Sequence, residues 1–419
     1  MLALRPLFPL LIAAGILLGG NGLFSTLIAI RGAQEGMSPS LIGWMGTTYY
    51  VGFLIGCLMV PELLRRVGHV RTFAALASLA ATATLMMILY VDAWHWMAQR
   101  FVTGICFSGL FTTIESWLNS SVSNQQRGKV TGVYRVIDIL VVSGAQFMMP
   151  VFGTEGFVLF AIMALMITFS LIPVAIGDRS NPKPPEHVRF NLREIWVISP
   201  LACLGCIAIG MTNSAFRFVG PLYAQDVGLS LASVATFISL GVVGGAVLQY
   251  PLGWLSDRYD RRWVLIGATL GAVLGGAYIS LLAGSDPLLI YIGIFVFGAF
   301  SLPLYSLAAA HANDRASSEQ YVLLAAGLMF FYGVGAMVGP PVSSAMVQWF
   351  GPSYLFAFTS ITHGLLAIAT LWRMRIRESV PQDQRGQFRA LLRTSPQMQT
   401  LDGGADKDIP AGKSSEPGK

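Results

Sequence analysis

Charge is what this chain has least of. Only 11% of its 419 residues are Asp, Glu, Lys or Arg, against about a quarter in a soluble domain. A chain so poor in charge cannot face water over most of its surface. Histidine (5) and cysteine (4) are also scarce. Cys57, Cys106, Cys203 and Cys206 all lie in apolar stretches. Cys203 and Cys206 form a C-x-x-C, a spacing used by redox and metal sites, but no further ligands gather near it, so the thiols read as small packing groups. No metal-ligand cluster and no nucleophilic triad is visible, and no cofactor is implied. Gly412-Lys413-Ser414 imitates the end of a phosphate-binding loop, yet Lys407 stands where the first glycine belongs and no strand precedes it. The chain therefore lacks an ATPase engine, and any transport it performs must draw on a gradient.

What it has instead is apolar length. Hydrophobic residues make up 54% of the chain, with 45 glycines of the kind that let membrane helices approach closely. About 20 apolar residues span a bilayer, and twelve runs qualify. The first six are Leu7–Ile30, Ser40–Leu63, Val70–Val91, His95–Leu118, Val130–Phe152 and Gly156–Ile176. The second six are Trp196–Val219, Ala232–Leu255, Trp263–Ala283, Leu288–Ala312, Tyr321–Trp349 and Tyr354–Trp372. The first run is longer than the apolar core of a signal peptide and is expected to stay as a membrane helix. The expected architecture is an all-α membrane protein of twelve transmembrane helices in two pseudo-symmetric six-helix bundles. Its parts are an N-terminal bundle (1–176), a polar, proline-rich linker (177–195), a C-terminal bundle (196–373) and a disordered tail (374–419).

The basic residues orient it. With the N-terminus inside, 23 of the 27 Lys and Arg residues fall in inner loops, linker and tail. Only Arg31 is outside, and Arg100, Arg135 and Arg217 fall within helices. That bias places both termini in the cytoplasm of a bacterial inner membrane. It also explains the net charge of +6 without nucleic acid as a partner. The sequon Asn119-Ser120-Ser121 then lies on the cytoplasmic side. The halves repeat faintly at an offset of 192 residues. Gly36-Met37-Ser38 aligns with Gly228-Leu229-Ser230, Asn21 with Asn213, and Arg66 with Arg258. Tandem parallel halves are one known transporter architecture.

Between the eighth and ninth runs stands Gly253-Trp254-Leu255-Ser256-Asp257-Arg258-Tyr259-Asp260-Arg261-Arg262. It resembles the loop signature of the major facilitator superfamily, G-x-L-x-D-R-x-G-R-R, departing from it at Asp260. In the first-half copy, Pro61 to Arg71, Gly68 is kept and Arg65 takes the aspartate position, with Glu62 one turn earlier as the nearest acid. Gly335-Ala336-Met337-Val338-Gly339-Pro340-Pro341 resembles the family's glycine–proline helix motif, although it lies in the eleventh run and not the fifth, so an antiport diagnosis does not carry over. Arg100 and Gly104 match an R-x-x-x-G element linked in the family to proton movement. Glu115-Ser116-Trp117-Leu118-Asn119, Gln249-Tyr250-Pro251-Leu252-Gly253 and His311-Ala312-Asn313-Asp314-Arg315 are similar to the YcaD-type bacterial branch. The resemblance runs from Leu7 to Trp372. It implies a monomeric secondary transporter working by alternating access, whose cavity is lined by helices one, four, seven and ten.

Ionisable groups inside a membrane are costly and point to function. Glu115, Arg135 and Asp138 are expected to cluster, with Arg65 or Arg66 as further partners, as a proton-sensitive gate or a static network. Asp257, Arg258 and Arg261 are expected to form an ion-pair latch that holds the cytoplasmic side shut. Asn21, Arg100, Asn213, Arg217 and Tyr305 are the candidate solute contacts, and His311 a weaker coupling candidate. Two arginines facing the cavity favour an anionic solute. The function expected is proton-coupled transport of a small organic solute, with lipid as the only macroscopic partner. The alternatives are drug or metabolite efflux by proton antiport, and a transporter-like receptor without turnover. A membrane enzyme would need a catalytic constellation, and none is evident.

Overall fold

The computed structural model describes residues 7–121, 124–176, 191–281, 284, 286–317, 320–388 and 390–391. Most of the linker and the last 28 residues lie outside this set, as do the side chains of Asn119 and Ser120 in the sequon. Among the described residues there is no strand. Twelve helices are long and apolar enough to cross a membrane. We number them α1 (Phe8–Gln34), α2 (Pro39–Val67), α3 (His69–Leu89), α4 (Ala93–Leu118), α5 (Lys129–Phe152), α6 (Val158–Ile176), α7 (Pro200–Asp226), α8 (Leu231–Arg258), α9 (Arg261–Leu281), α10 (Pro287–Asn313), α11 (Tyr321–Phe350) and α12 (Tyr354–Ile376).

The local chemistry places the boundaries. Ser38, Asp92, Ser199, Ser230 and Asp286 cap helix N-termini, each accepting a backbone N–H through its side chain. Gly36, Gly68, Gly228 and Gly351 turn the chain at helix ends with positive φ. Prolines interrupt the ladder inside spans: α5 breaks at Phe147 ahead of Pro150, and α10 breaks at Leu302-Pro303. A short helix, Leu192–Ile198, follows the linker and is capped by Asn191.

The two bundles meet mainly through α2 against α11, with α1 against α7 and α5 against α8. An even number of spans puts both chain ends on one side. The polar bonds between bundles gather on the other side, which we call the far side. There Ser40 on α2 bonds Gln348 on α11 (Oγ to Oε1, 2.6 Å), and Thr47 Oγ1 donates to Met337 O at 2.7 Å. Ser239 on α8 donates to Ser143 O on α5 at 3.0 Å. Gly43 is seated so closely that a Cβ would lie 2.7 Å from Pro340 O. Among the described residues no hydrogen bond or ion pair joins the terminus-side ends of the two bundles. Hydrogen bonds therefore zip the two bundles together on the far side.

The chain does not leave the bundle at Met374 as expected. Helix α12 runs on to Ile376, and residues 377–388 and 390–391 fold back over the terminus-side face of the C-terminal bundle. Arg385 bonds Tyr259 O at 2.7 Å, Phe388 N bonds Asp257 at 2.7 Å, and Leu391 N bonds the buried Ser306 at 3.0 Å. The Arg385 guanidinium and the amides of Phe388 and Leu391 find built partners, and Leu391 is itself buried, so composition alone misjudged this stretch.

Candidate functional site

A cavity of about 150 Å³ lies between the bundles, walled mainly by α1, α2, α5, α7, α8 and α11, with Phe111 from α4 and Leu302 from α10. Polar groups are few and placed on an aromatic lining. Asn21 comes from α1, Arg135, Asp138 and Gln146 from α5, and Asn213 and Arg217 from α7. Tyr49, Tyr50, Phe53, Phe216 and Tyr332 supply most of the apolar wall. The depth follows from length. Asn213 stands 13 residues beyond Pro200, about 20 Å along α7 at 1.5 Å per residue, near the middle of a bilayer core of about 30 Å.

The two asparagines sit alike and are used differently. Asn21 Oδ1 accepts the Tyr49 hydroxyl at 3.0 Å. Asn213 is 7% exposed, and neither its amide nitrogen nor its oxygen has a hydrogen-bond partner. Arg217 follows one turn later on the same wall, with no hydrogen bond or ion pair recorded among the described residues. Arg135 donates to Asp138 at 3.4 Å, a partly buried pair in the opposite wall.

Arg100 does not line the cavity. It is completely buried, and none of its three guanidinium nitrogens reaches an acceptor. Three rings hold it instead: Tyr49 at 4.4 Å, Phe24 at 4.8 Å and Phe218 at 5.3 Å. Cation–π attraction of about 2 kcal/mol per desolvated contact offsets part of the burial cost. Tyr49 thus separates Arg100 from the cavity and touches both. Tyr305 also lies behind the wall, buried, with its ring 5.5 Å from that of Tyr332.

The other expected residues lie toward the terminus side. Glu115 is fully buried outside the lining and accepts the Tyr134 hydroxyl at 3.1 Å. Arg65 and Arg66 both bond Glu62, Arg66 at 2.7 Å, so Glu62 takes the place of the acid missing from the first-half loop. In the second-half loop Arg261 is buried and joins three elements. It bonds Asp314 after α10 at 2.6 Å, Asp257 on α8 at 3.2 Å, and Gly386 O in the folded-back segment. Arg258 stacks on Trp254 at 4.0 Å. His311 is buried beside a small cleft shared with Arg262, Arg315, Arg373 and Arg377. Burial, with Arg377 and Arg262 nearby, lowers the Arg315 guanidinium to about 10. Burial would raise the Asp260 carboxyl, but the bonds and charge of Arg262 hold it below the usual carboxylate range.

Sequence reasoning missed Tyr49, Tyr50, Tyr332 and Gln146. Aromatic residues are common on any apolar helix. Only the pairing of Asn21 with a tyrosine on the next helix would have singled one out.

The profile of the Major Facilitator Superfamily matches residues 10–247 and again 201–401. The chain is 26% identical over 354 residues to proteins described as uncharacterized MFS-type transporter YcaD from Escherichia coli (strain UTI89 / UPEC) and from Shigella flexneri. Each match covers 84% of this chain and 91% of the relative. Among solved structures, the nucleoside transporter NupG superposes with a TM-score of 0.71 at 12% identity, over 88% of this chain and 99% of NupG. A bacterial homolog of the human lysosomal transporter Spinster, inward-facing and occupied, gives 0.73 at 12% identity, over 91% and 97%.

Proposed function

The chain belongs to the Major Facilitator Superfamily, and from that membership we propose that this multi-pass membrane transporter carries a small organic solute by proton-coupled alternating access. It works as a monomer in a bacterial inner membrane with both termini cytoplasmic. The observation that supports this reading best is the central cavity, reached by a titratable ion pair and closed on one side by breakable contacts.

The bonds that zip the far side are three serine or threonine hydroxyl contacts and one serine amide, none of them charged. Hydrogen bonds of this kind contribute about 1 kcal/mol each, so the bundles can part there without a large barrier. In this state the loop motif of each half is satisfied within its own half. When the terminus side closes, these clusters face each other and form the latch of the second state.

Coupling requires a carboxylate whose partners differ between the two states. Asp138 meets that requirement from the cavity wall, where it pairs with Arg135 and where a bound solute can change that pairing. Glu115 is the second candidate, buried where α5 supplies Tyr134, and meets it when α5 slides against α4 between the states. The test uses proteoliposomes and the compound that most stabilises the purified protein. Glu115→Gln and Asp138→Asn should retain counterflow while losing accumulation driven by a pH gradient. Wild-type accumulation in both variants would remove these acids from coupling, and the proton reading with them.

A further inference from the structure

We infer that the transported solute bears a single anionic headgroup, a carboxylate or an acid of like size, lodged against Arg217 and Asn213 with an apolar body on the tyrosine wall. This deepens the carrier reading above and rests on it. It follows from which polar groups around the cavity are already satisfied and which are left open.

The charged lining contains three groups: Arg135, Asp138 and Arg217. Arg135 and Asp138 bond each other. That leaves Arg217 as a half-buried guanidinium one turn beyond Asn213 with no carboxylate within ion-pair distance among the described residues. A charge held in a low-dielectric site is retained only when something compensates it. Nothing else in the wall supplies that compensation. Arg100 worsens the deficit, because it places a second cation behind Tyr49 with no acceptor of its own. The potential inside the cavity is therefore positive, and a ligand must bring the negative charge.

Asn213 specifies the shape of that charge. It lies one helical turn before Arg217, so the two side chains share a face. Its amide donor and carbonyl acceptor are both unspent, although it is nine-tenths buried. Leaving such a group empty costs about 1–3 kcal/mol, which a bound ligand would remove. An amide N–H beside a guanidinium fork offers three or more donors converging on two oxygens, which suits a carboxylate. An ammonium solute would find only Asp138, already held. A polyhydroxylated neutral solute could use Gln146 Oε1, which is also unpartnered, but would leave the charge of Arg217 unmet. The remaining wall, Tyr50, Phe53, Phe216 and Tyr332, suits an aromatic or aliphatic body.

The test titrates full-length protein in detergent by thermal shift with matched triplets that differ only at the headgroup. These are benzoate, benzamide and benzylamine; 3-phenylpropionate with its amide and amine; and octanoate with its amide and amine. The acid of at least one triplet should raise Tm while its amide and amine do not. Arg217→Gln should weaken the apparent affinity for that acid by about tenfold or more. Asn213→Asp guards against misfolding in the first variant. It sets an internal counter-ion one turn from Arg217, so the ligand-free Tm should rise while the acid-induced shift disappears. A flat response to every acid, an amide or amine that stabilises as well as its acid, or an acid shift that persists in both variants would overturn the inference. Counterflow of the same triplets in proteoliposomes separates the two readings. Carriage of an amide or amine would sink the anionic class and leave the carrier standing. An acid that binds through Arg217 without being exchanged would support the class and sink the carrier.

Discussion

Arg100 and Arg261 are both buried arginines, and they should respond oppositely to removal. Arg261 satisfies Asp314, whose side chain is 4% exposed, along with Asp257 and Ser256. Arg261→Met would strand a buried carboxylate, a loss of about 3–5 kcal/mol, and Tm should fall by several degrees. Arg100 satisfies no acceptor. Arg100→Met removes a desolvation cost of several kcal/mol and three cation–π contacts of about 2 kcal/mol each. These nearly cancel, so Tm should hardly move, while transport falls if the charge serves the cavity. A Tm loss in Arg100→Met as large as in Arg261→Met would show that its role is structural. The sequence marked Arg100 as a charge within a span and Arg261 as part of a loop latch, and could not say which way either points. One residue of helix rotation moves a side chain by 100°, enough to turn Arg100 from the cavity to the rings behind it. Asn21, Asn213 and Arg217 were legible because depth follows from counting along a span. The tyrosine lining was not, because its members resemble every other apolar helix residue.

Helix contacts depend on glycines that the motifs only hinted at. Gly104, four residues after Arg100, packs α4 on α2 so tightly that a Cβ would lie 2.1 Å from Tyr49 O. A backbone atom cannot retreat as a side chain can, so Gly104→Ala should push the two helices apart. We expect little folded protein by size-exclusion chromatography; normal yield and Tm would refute that contact. In the glycine–proline motif of α11, Gly339 plays the same part against Met211 O, also at 2.1 Å. The second-half loop shows what motif reading leaves out. Its signature was recognisable, but its partner was the chain's own segment 377–388, whose polar composition reads as a free tail. Phe388 lies over Gly253, where a Cβ would come within 2.1 Å of the ring. Phe388→Ala or Gly253→Ala should release the segment, and trypsin should then cut faster at Arg385, which the docked fold ties to Tyr259. Equal cutting rates in wild type and both variants would mean that the segment is not held there. Asp257→Asn weakens the same junction by removing the charge shared by Arg261 and Phe388 N. It should slow transport while leaving expression intact.

Alternating access asks the two bundles to exchange one closed side for the other, and the closed side seen here can be held shut by design. Twelve spans and a faint repeat predicted two bundles around a pathway, and that much was legible from apolar run lengths. The side on which they meet was not, because both states use the same residues and differ only in which contacts are made. Ser40 and Gln348 mark the far-side seam, with Oγ and Oε1 2.6 Å apart. Replacing both (Ser40→Cys with Gln348→Cys) puts two thiols across that seam. Among the native cysteines, Cys106, Cys203 and Cys206 are buried and Cys57 is partly so, which leaves the new pair as the most accessible. A short bifunctional thiol reagent with a reducible linkage should join them and trap the far-closed state. A carrier that must open this seam in every cycle would then lose both exchange and accumulation, and reductant would restore both. Neither single variant should respond to the reagent. Binding should survive the cross-link, because Ser40 and Gln348 do not line the cavity, so an acid-induced thermal shift is expected in the locked protein. Full exchange in the cross-linked state would mean that the far side does not open during transport, and the rocking of the two bundles about this cavity would have to be abandoned.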